Sequence, residues 1–140
     1  MTLHRLPDWP ERMAAYLARH AATPFVWGQH DCVRFAAGLV HAITGVDLLP
    51  ADWHTRTEAA QVLRRFGGLV PAVDGVLPRL PAPAAAWRGD VLLVQASAPQ
   101  GGRRRWLAIA DGARWWAPSP QGMTQGPLAQ AELAWGVAHG

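Results

Sequence analysis

Apolar positions recur at helical spacing in three segments between residues 8 and 66, and beyond residue 90 they gather into short runs of strand length. In the first segment Trp9, Met13, Tyr16, Leu17 and His20 share one face. Asp8 and Glu11 have capping-box spacing, Pro10 suits a first turn, and Thr23-Pro24 stops the pattern, which predicts a helix over 8–20. Cys32, Phe35, Ala36, Leu39, Val40 and Ile43 predict a second helix over 32–43, with Asp31 as N-cap and Gly45 in the left-handed position after its end. Ala59, Val62, Leu63 and Phe66 predict a third over 56–66, opened by Thr55 and Glu58 and stopped by Gly67-Gly68. Residues 69–86 are rich in Pro and Ala and weakly periodic, and read as loop with room for one short helix.

The run "RGDVLLVQ" predicts a buried strand beginning near Asp90. "RRRWLAIADGARWWAP" reads as a hairpin around Asp111-Gly112, a pair suited to a type I′ turn, and "AWGVAH" is the last strand candidate. Helices first and an antiparallel sheet afterwards predict an α+β fold. With 140 residues and neither an internal repeat nor a clear linker, the chain is expected to be one domain, 1–140.

Composition narrows the class of function. Arg5, Asp8, Glu11, Arg12 and Arg19 interrupt any signal-peptide run, and no stretch approaches the roughly 18–20 apolar residues of a membrane span, so cytoplasmic synthesis without membrane insertion is expected. The net charge is +3, and all 13 basic residues are Arg. The one basic run, Arg103–Arg105, has no second patch beside it and reads as a solvated hairpin end, which argues against a nucleic-acid partner. Eight Trp in 140 residues is a high number; Trp fills cores, and it is also enriched at interfaces.

The single cysteine, Cys32, cannot form an intrachain disulfide. At a helix N-terminus the free N–H groups and the dipole favour its thiolate, and the preceding Gly28-Gln29-His30 could supply backbone donors, as a cysteine hydrolase requires. Its helical face, shared with Phe35, Ala36 and Leu39, equally fits a buried structural thiol. Both readings stand on spacing. His30 is the weak candidate for a base, His54 and His139 are weaker, and His41 lies mid-helix. No ligand spacing points to a metal, and no cofactor is expected.

"FVWGQHDC", a helix ending in "TG", "RGDVLLV" and a strand pair resemble, in that order, the NlpC-type cysteine peptidases of the papain-like superfamily. The resemblance covers about Phe25 to Trp116. It implies a papain-like α+β fold with N-terminal helices packed on a small antiparallel sheet, Cys32 as nucleophile, and Gly89-Asp90 opening the first strand. The family's catalytic His begins the next strand, and there this chain has Trp106; the third polar position falls near Trp115 or Trp116. More narrowly, the motifs are similar to small proteins encoded among tail-tip genes of phages, prophages and gene-transfer agents. The resemblance implies a phage tail-tip or baseplate component, located in the virion tail, with a degenerate cell-wall peptidase fold acting as a structural or docking subunit. Its expected partners are other tail-tip proteins, and peptidoglycan peptides are a second class. The competing reading is an active peptidoglycan endopeptidase or amidase using Cys32, and a third class is a peptide- or glycan-binding module. The binding residues expected on the hairpin are Trp106, Trp115, Trp116, Arg104 and Arg105, because Arg and Trp most often anchor interfaces.

Overall fold

The computed structural model describes residues 3–49, 51–97 and 103–139. Among the described residues four α-helices precede the sheet: α1 (Trp9–His20), α2 (Cys32–Thr44), α3 (Arg56–Arg64) and α4 (Leu69–Asp74). Five strands follow: β1 (Val91–Ser97), β2 (Arg103–Asp111), β3 (Arg114–Ser119), β4 (Gly122–Pro127) and β5 (Ala131–Trp135). The neighbouring strands pair antiparallel in the order β4-β3-β2-β1-β5, so the fold is α+β as expected.

The caps explain where the helices begin. Asp31 accepts from the Arg34 N–H at 2.9 Å to open α2, and Thr55 accepts from the Glu58 N–H at 3.1 Å to open α3. Gly45 ends α2 at φ 81°, where its N–H returns to the His41 carbonyl. Asp8 departs from expectation. It caps nothing with its side chain and instead pairs with Arg12 at 2.7 Å. The segment read as loop holds α4 and a 3₁₀ turn at Pro83–Ala85.

The β2–β3 turn is not the expected type I′. Its two central residues are Gly112 and Ala113, with Asp111 paired to Arg114, and of the two only Gly112 has positive φ (67°), the pattern of a type II′ turn. Gly101 and Gly102, read as flanking the hairpin's basic end, lie outside the described residues.

Alternation along the strands divides the sheet between two cores. Val91, Leu93, Leu107 and Ile109 face the helices and pack with Phe35, Leu39, Val40 and Ile43 of α2 and Met13 and Tyr16 of α1. Leu92, Val94, Ala108, Ala110, Trp115 and Ala134 build a second core on the opposite face, covered by Leu80, Ala86 and Leu128. Helix α2 lies over β2 and β3 more than over β1. No helix among the described residues is long and apolar enough to cross a membrane.

Candidate functional site

The stretch from Val26 to Arg34 is organised by one carboxylate. Val26 and His30 exchange backbone hydrogen bonds across a tight turn whose Gly28 has φ 80°. Asp31, fully buried, accepts from the Gly28 N–H at 3.1 Å, the Arg34 N–H at 2.9 Å and the Trp53 indole N–H at 2.7 Å. A Cβ on Gly28 would lie 2.5 Å from the His54 Cα, so this turn and the loop bearing Trp53 meet only because residue 28 is glycine. The Asp before the cysteine is therefore a joint between α2 and two loops. Its three donors leave its oxygens engaged away from any chemistry.

Cys32 opens α2 and packs beside Leu107. Desolvation is the largest influence on its thiol, with the Asp31 charge acting in the same direction. The N–H groups of Leu107, Cys32 and Val33 favour the thiolate, but burial outweighs them and pushes the pKa up to about 11. At pH 7 the thiolate is then on the order of one molecule in 10⁴. The helix N-terminus acts in the expected direction and is too weak to decide the outcome.

No histidine is among the groups that bear on this thiol. His30 is buried on the α1 side, its ring stacked on His20 at 4.7 Å and edge-on to Phe35 at 5.7 Å. His54 is exposed, and its N–H donates to Glu58. His41 is exposed in the last turn of α2. His139 lies 2.5 Å from an oxygen of Asp90, and Asp90 follows Gly89, which packs against Ile43 at the other end of α2. A 13-residue helix, about 20 Å long, thus separates it from Cys32.

Trp106 does not sit over the thiol. It belongs to the opposite face of the sheet, edge-on to Trp115 at 5.8 Å, and the β2 residue beside Cys32 is Leu107. Trp106 therefore blocks no groove at Cys32; β2 meets the thiol through the Leu107 backbone N–H. Trp115 and Trp116 point to opposite faces, as adjacent strand residues must. Both faces carry cores, so each ring packs against one of them. Trp115 is 3 % exposed and donates to Gln130 at 3.1 Å, while the half-buried Trp116 donates to Asp111 at 2.8 Å beneath the Arg114 guanidinium. Arg104 and Arg105 are exposed, and Arg105 pairs with Glu132 at 3.4 Å. Of the five hairpin residues expected to bind, only these two arginines are exposed.

Residues 4–137 match the family described as a domain of unknown function, DUF6950. The chain belongs to the DUF6950 family. Among curated proteins none matches it.

A second buried carboxylate organises the far end of this DUF6950 domain. Asp90 is fully buried; its Oδ1 accepts from Arg5 at 3.1 Å and the Val137 N–H at 2.8 Å, and its Oδ2 accepts from the Trp87 N–H at 2.6 Å and lies beside His139 Nε2. Arg5 also donates to the Val137 and Arg88 carbonyls, which ties the segment before α1 to the one after β5. The Gly-Asp pair was visible in the sequence. Its partners were not, because nothing local marks Arg5 or His139 as neighbours of residue 90. Among the described residues no group of three or more His, Cys, Asp or Glu could hold a metal ion.

Proposed function

We propose that this protein is a structural or docking subunit of a phage or prophage-type tail tip, built on a degenerate papain-like peptidase scaffold. The observation that supports this reading most is the environment of Cys32: a thiol raised to about 11, beside Leu107, with no imidazole acting on it. A cysteine peptidase needs its thiolate and its base together, and losing one member of such a set typically costs on the order of 10⁴-fold in rate. The two carboxylates of the HDC and RGD stretches spend their hydrogen-bonding capacity on tying loops and strands. The tail-tip assignment itself rests on the order of sequence motifs, and the exposed Arg104 and Arg105 fit a docking role.

Two measurements test the proposal. Purified protein incubated with peptidoglycan should release no peptides above a blank. Tail particles carrying Cys32→Ala should assemble and infect as the parent does. Peptide release that disappears in Cys32→Ala would establish the peptidase instead, and assembled particles that lack this protein altogether yet infect normally would remove the structural role.

A further inference from the structure

Helices α2, α3 and α4 do not close fully on one another. Between them lies a cavity of about 270 Å³, bounded by Val33 and Ala37 of α2, Leu63 and Phe66 at the end of α3, and Ala72 and Val76 around α4. The lining side chains are apolar apart from the Trp53 indole N–H, which is already given to Asp31. At its mouth Phe66 and Val76 are 46 % and 47 % exposed, large apolar surfaces that a self-sufficient core would have covered. Leu69 also lines a more open, more polar depression that runs past Gly67 and Gly68 to Arg105.

Size and chemistry restrict the occupant. An apolar cavity of about 150 Å³ holds a benzene-sized group, so this one has room for about two apolar side chains. Small-molecule sites usually start near 300 Å³ and orient their ligand with a few polar groups, which this cavity lacks. Charge restricts it further. Arg64 and Arg65 are exposed immediately before Phe66, Arg56 is exposed at the start of α3, and none of the three makes an ion pair among the described residues. The neighbouring carboxylates are engaged: Asp52 with Arg34, Asp74 with Arg79 and the Trp135 indole, Glu58 with the His54 N–H, and Asp47 with the Leu49 N–H.

We propose that this cavity is the anchor pocket for an acidic amphipathic helix of a partner protein, whose apolar side chains enter between α2, α3 and α4 while its carboxylates meet Arg64 and Arg65. A helix laid in a groove presents anchors at i, i+3, i+4 and i+7, and a pocket for about two of them with a basic margin is the complementary surface. The proposal rests on the docking reading only in requiring a protein partner. It relocates the main contact from the hairpin tryptophans to the helical layer.

The test uses the full chain, immobilised, and a displayed library of helical peptides fixed as apolar at those four positions and randomised between them. The expected result is enrichment of Asp and Glu at the randomised positions. Binding of a selected peptide, followed by fluorescence anisotropy, should weaken at least about tenfold in Ala37→Phe, which fills the cavity, and in the surface double variant Arg64→Glu with Arg65→Glu, which leaves the core alone. Thermal unfolding of each variant establishes that it is folded, and the surface pair decides the matter if Ala37→Phe is not. Failure to enrich any peptide, enrichment of basic sequences, or binding indifferent to the surface pair would overturn the anchor pocket while leaving a non-catalytic docking subunit intact. A concentration-dependent dimer that Phe66→Glu dissolves would overturn it too, by giving the cavity to a second copy.

Discussion

The Trp53 indole N–H donates to the Asp31 carboxylate across 2.7 Å, with both side chains closed off from solvent. The pair joins the loop before α3 to the first turn of α2, and so fixes the surroundings of Cys32, whose thiol the Asp31 charge helps keep protonated. Removing one partner leaves buried donors with nothing to accept them, which costs more than the bond itself contributes.

Asp31→Ala is therefore expected to destabilise the protein by about 3 kcal/mol or more, combining a lost N-cap of about 1 kcal/mol with stranded N–H groups at Gly28 and Trp53. Asp31→Asn, which keeps an acceptor oxygen, should lose less. Urea unfolding midpoints measure both, and a double-mutant cycle with Trp53→Phe isolates the indole bond. An Asp31→Ala midpoint equal to that of the parent would show that this carboxylate is not the joint described.

Cys32 is half-buried as a residue, yet its desolvated thiol should be modified slowly by alkylating reagents at pH 7–8, accelerating only toward its pKa of about 11. The same shift makes stability depend on pH. An unfolded thiol ionises near 8.5, so between about pH 8.5 and 11 the folded state holds a proton that the unfolded state has released. The stabilisation is complete below pH 8.5 and is lost as pH rises through this window, by about 3 kcal/mol in all. Because Tyr16 is also raised, mainly by burial, the Cys32 contribution is read as the difference between the parent and Cys32→Ala. That difference should be constant below pH 8 and should change above it. A modification rate already at its plateau by pH 8 would mean an activated thiolate.

Much of this arrangement was legible in the chain. The caps at Asp31 and Thr55, the left-handed Gly45 and the hairpin of β2 and β3 all depend on neighbours within a few residues, and local rules carry that information. Strand β4 was missed because Gly-Met-Thr-Gln-Gly-Pro holds few strand-favouring residues; tertiary space explains it, since Gly126 stands where a Cβ would meet the Trp115 ring at 2.5 Å. Which face of the sheet Trp106 takes was not legible, because in a strand one residue exchanges the two faces. The cavity beside Phe66 was not legible at all. Its walls come from three helices, and each helix alone looks adequately amphipathic.

The His20–His30 stack should give the protein an acid-sensitive component. Burial comes first in lowering both pKa values, with Arg19 adding to the effect on His20 and His20 to that on His30, while Asp31 opposes it at His30. His20 Nδ1 and His30 Nε2 are buried with no partner among the described residues, so a proton at either nitrogen would find no acceptor there. Because the folded values lie below the unfolded 6.5, the unfolded state takes up protons first. The stabilisation is present above about pH 6.5 and is lost as pH falls below it toward the folded values. Chemical denaturation at a series of pH values should show this decline, and His30→Phe should flatten it. An identical decline in His30→Phe would assign it to other groups.

The hairpin tryptophans separate folding from docking. Trp115 is sealed against Ala108, Ala110 and Ala117 and bonded to Gln130, so Trp115→Ala should cost about 3–5 kcal/mol. Trp27, 37 % exposed on its turn and edge-on to Phe25 at 5.0 Å, should cost less than about 1 kcal/mol when replaced by Ala. A double replacement of Trp115 and Trp116 thus reports unfolding, and its failure to enter a tail particle would say nothing about a contact. The informative variant is Arg104→Glu with Arg105→Glu, since both side chains are exposed and only Arg105 holds an ion pair, an exposed one that contributes little. Its melting temperature should match that of the parent within the shift expected for about 0.5 kcal/mol, while its incorporation into particles should fall if the basic hairpin end meets a partner. Normal incorporation by this folded variant would leave the hairpin a purely structural element, with any docking carried by the helical layer.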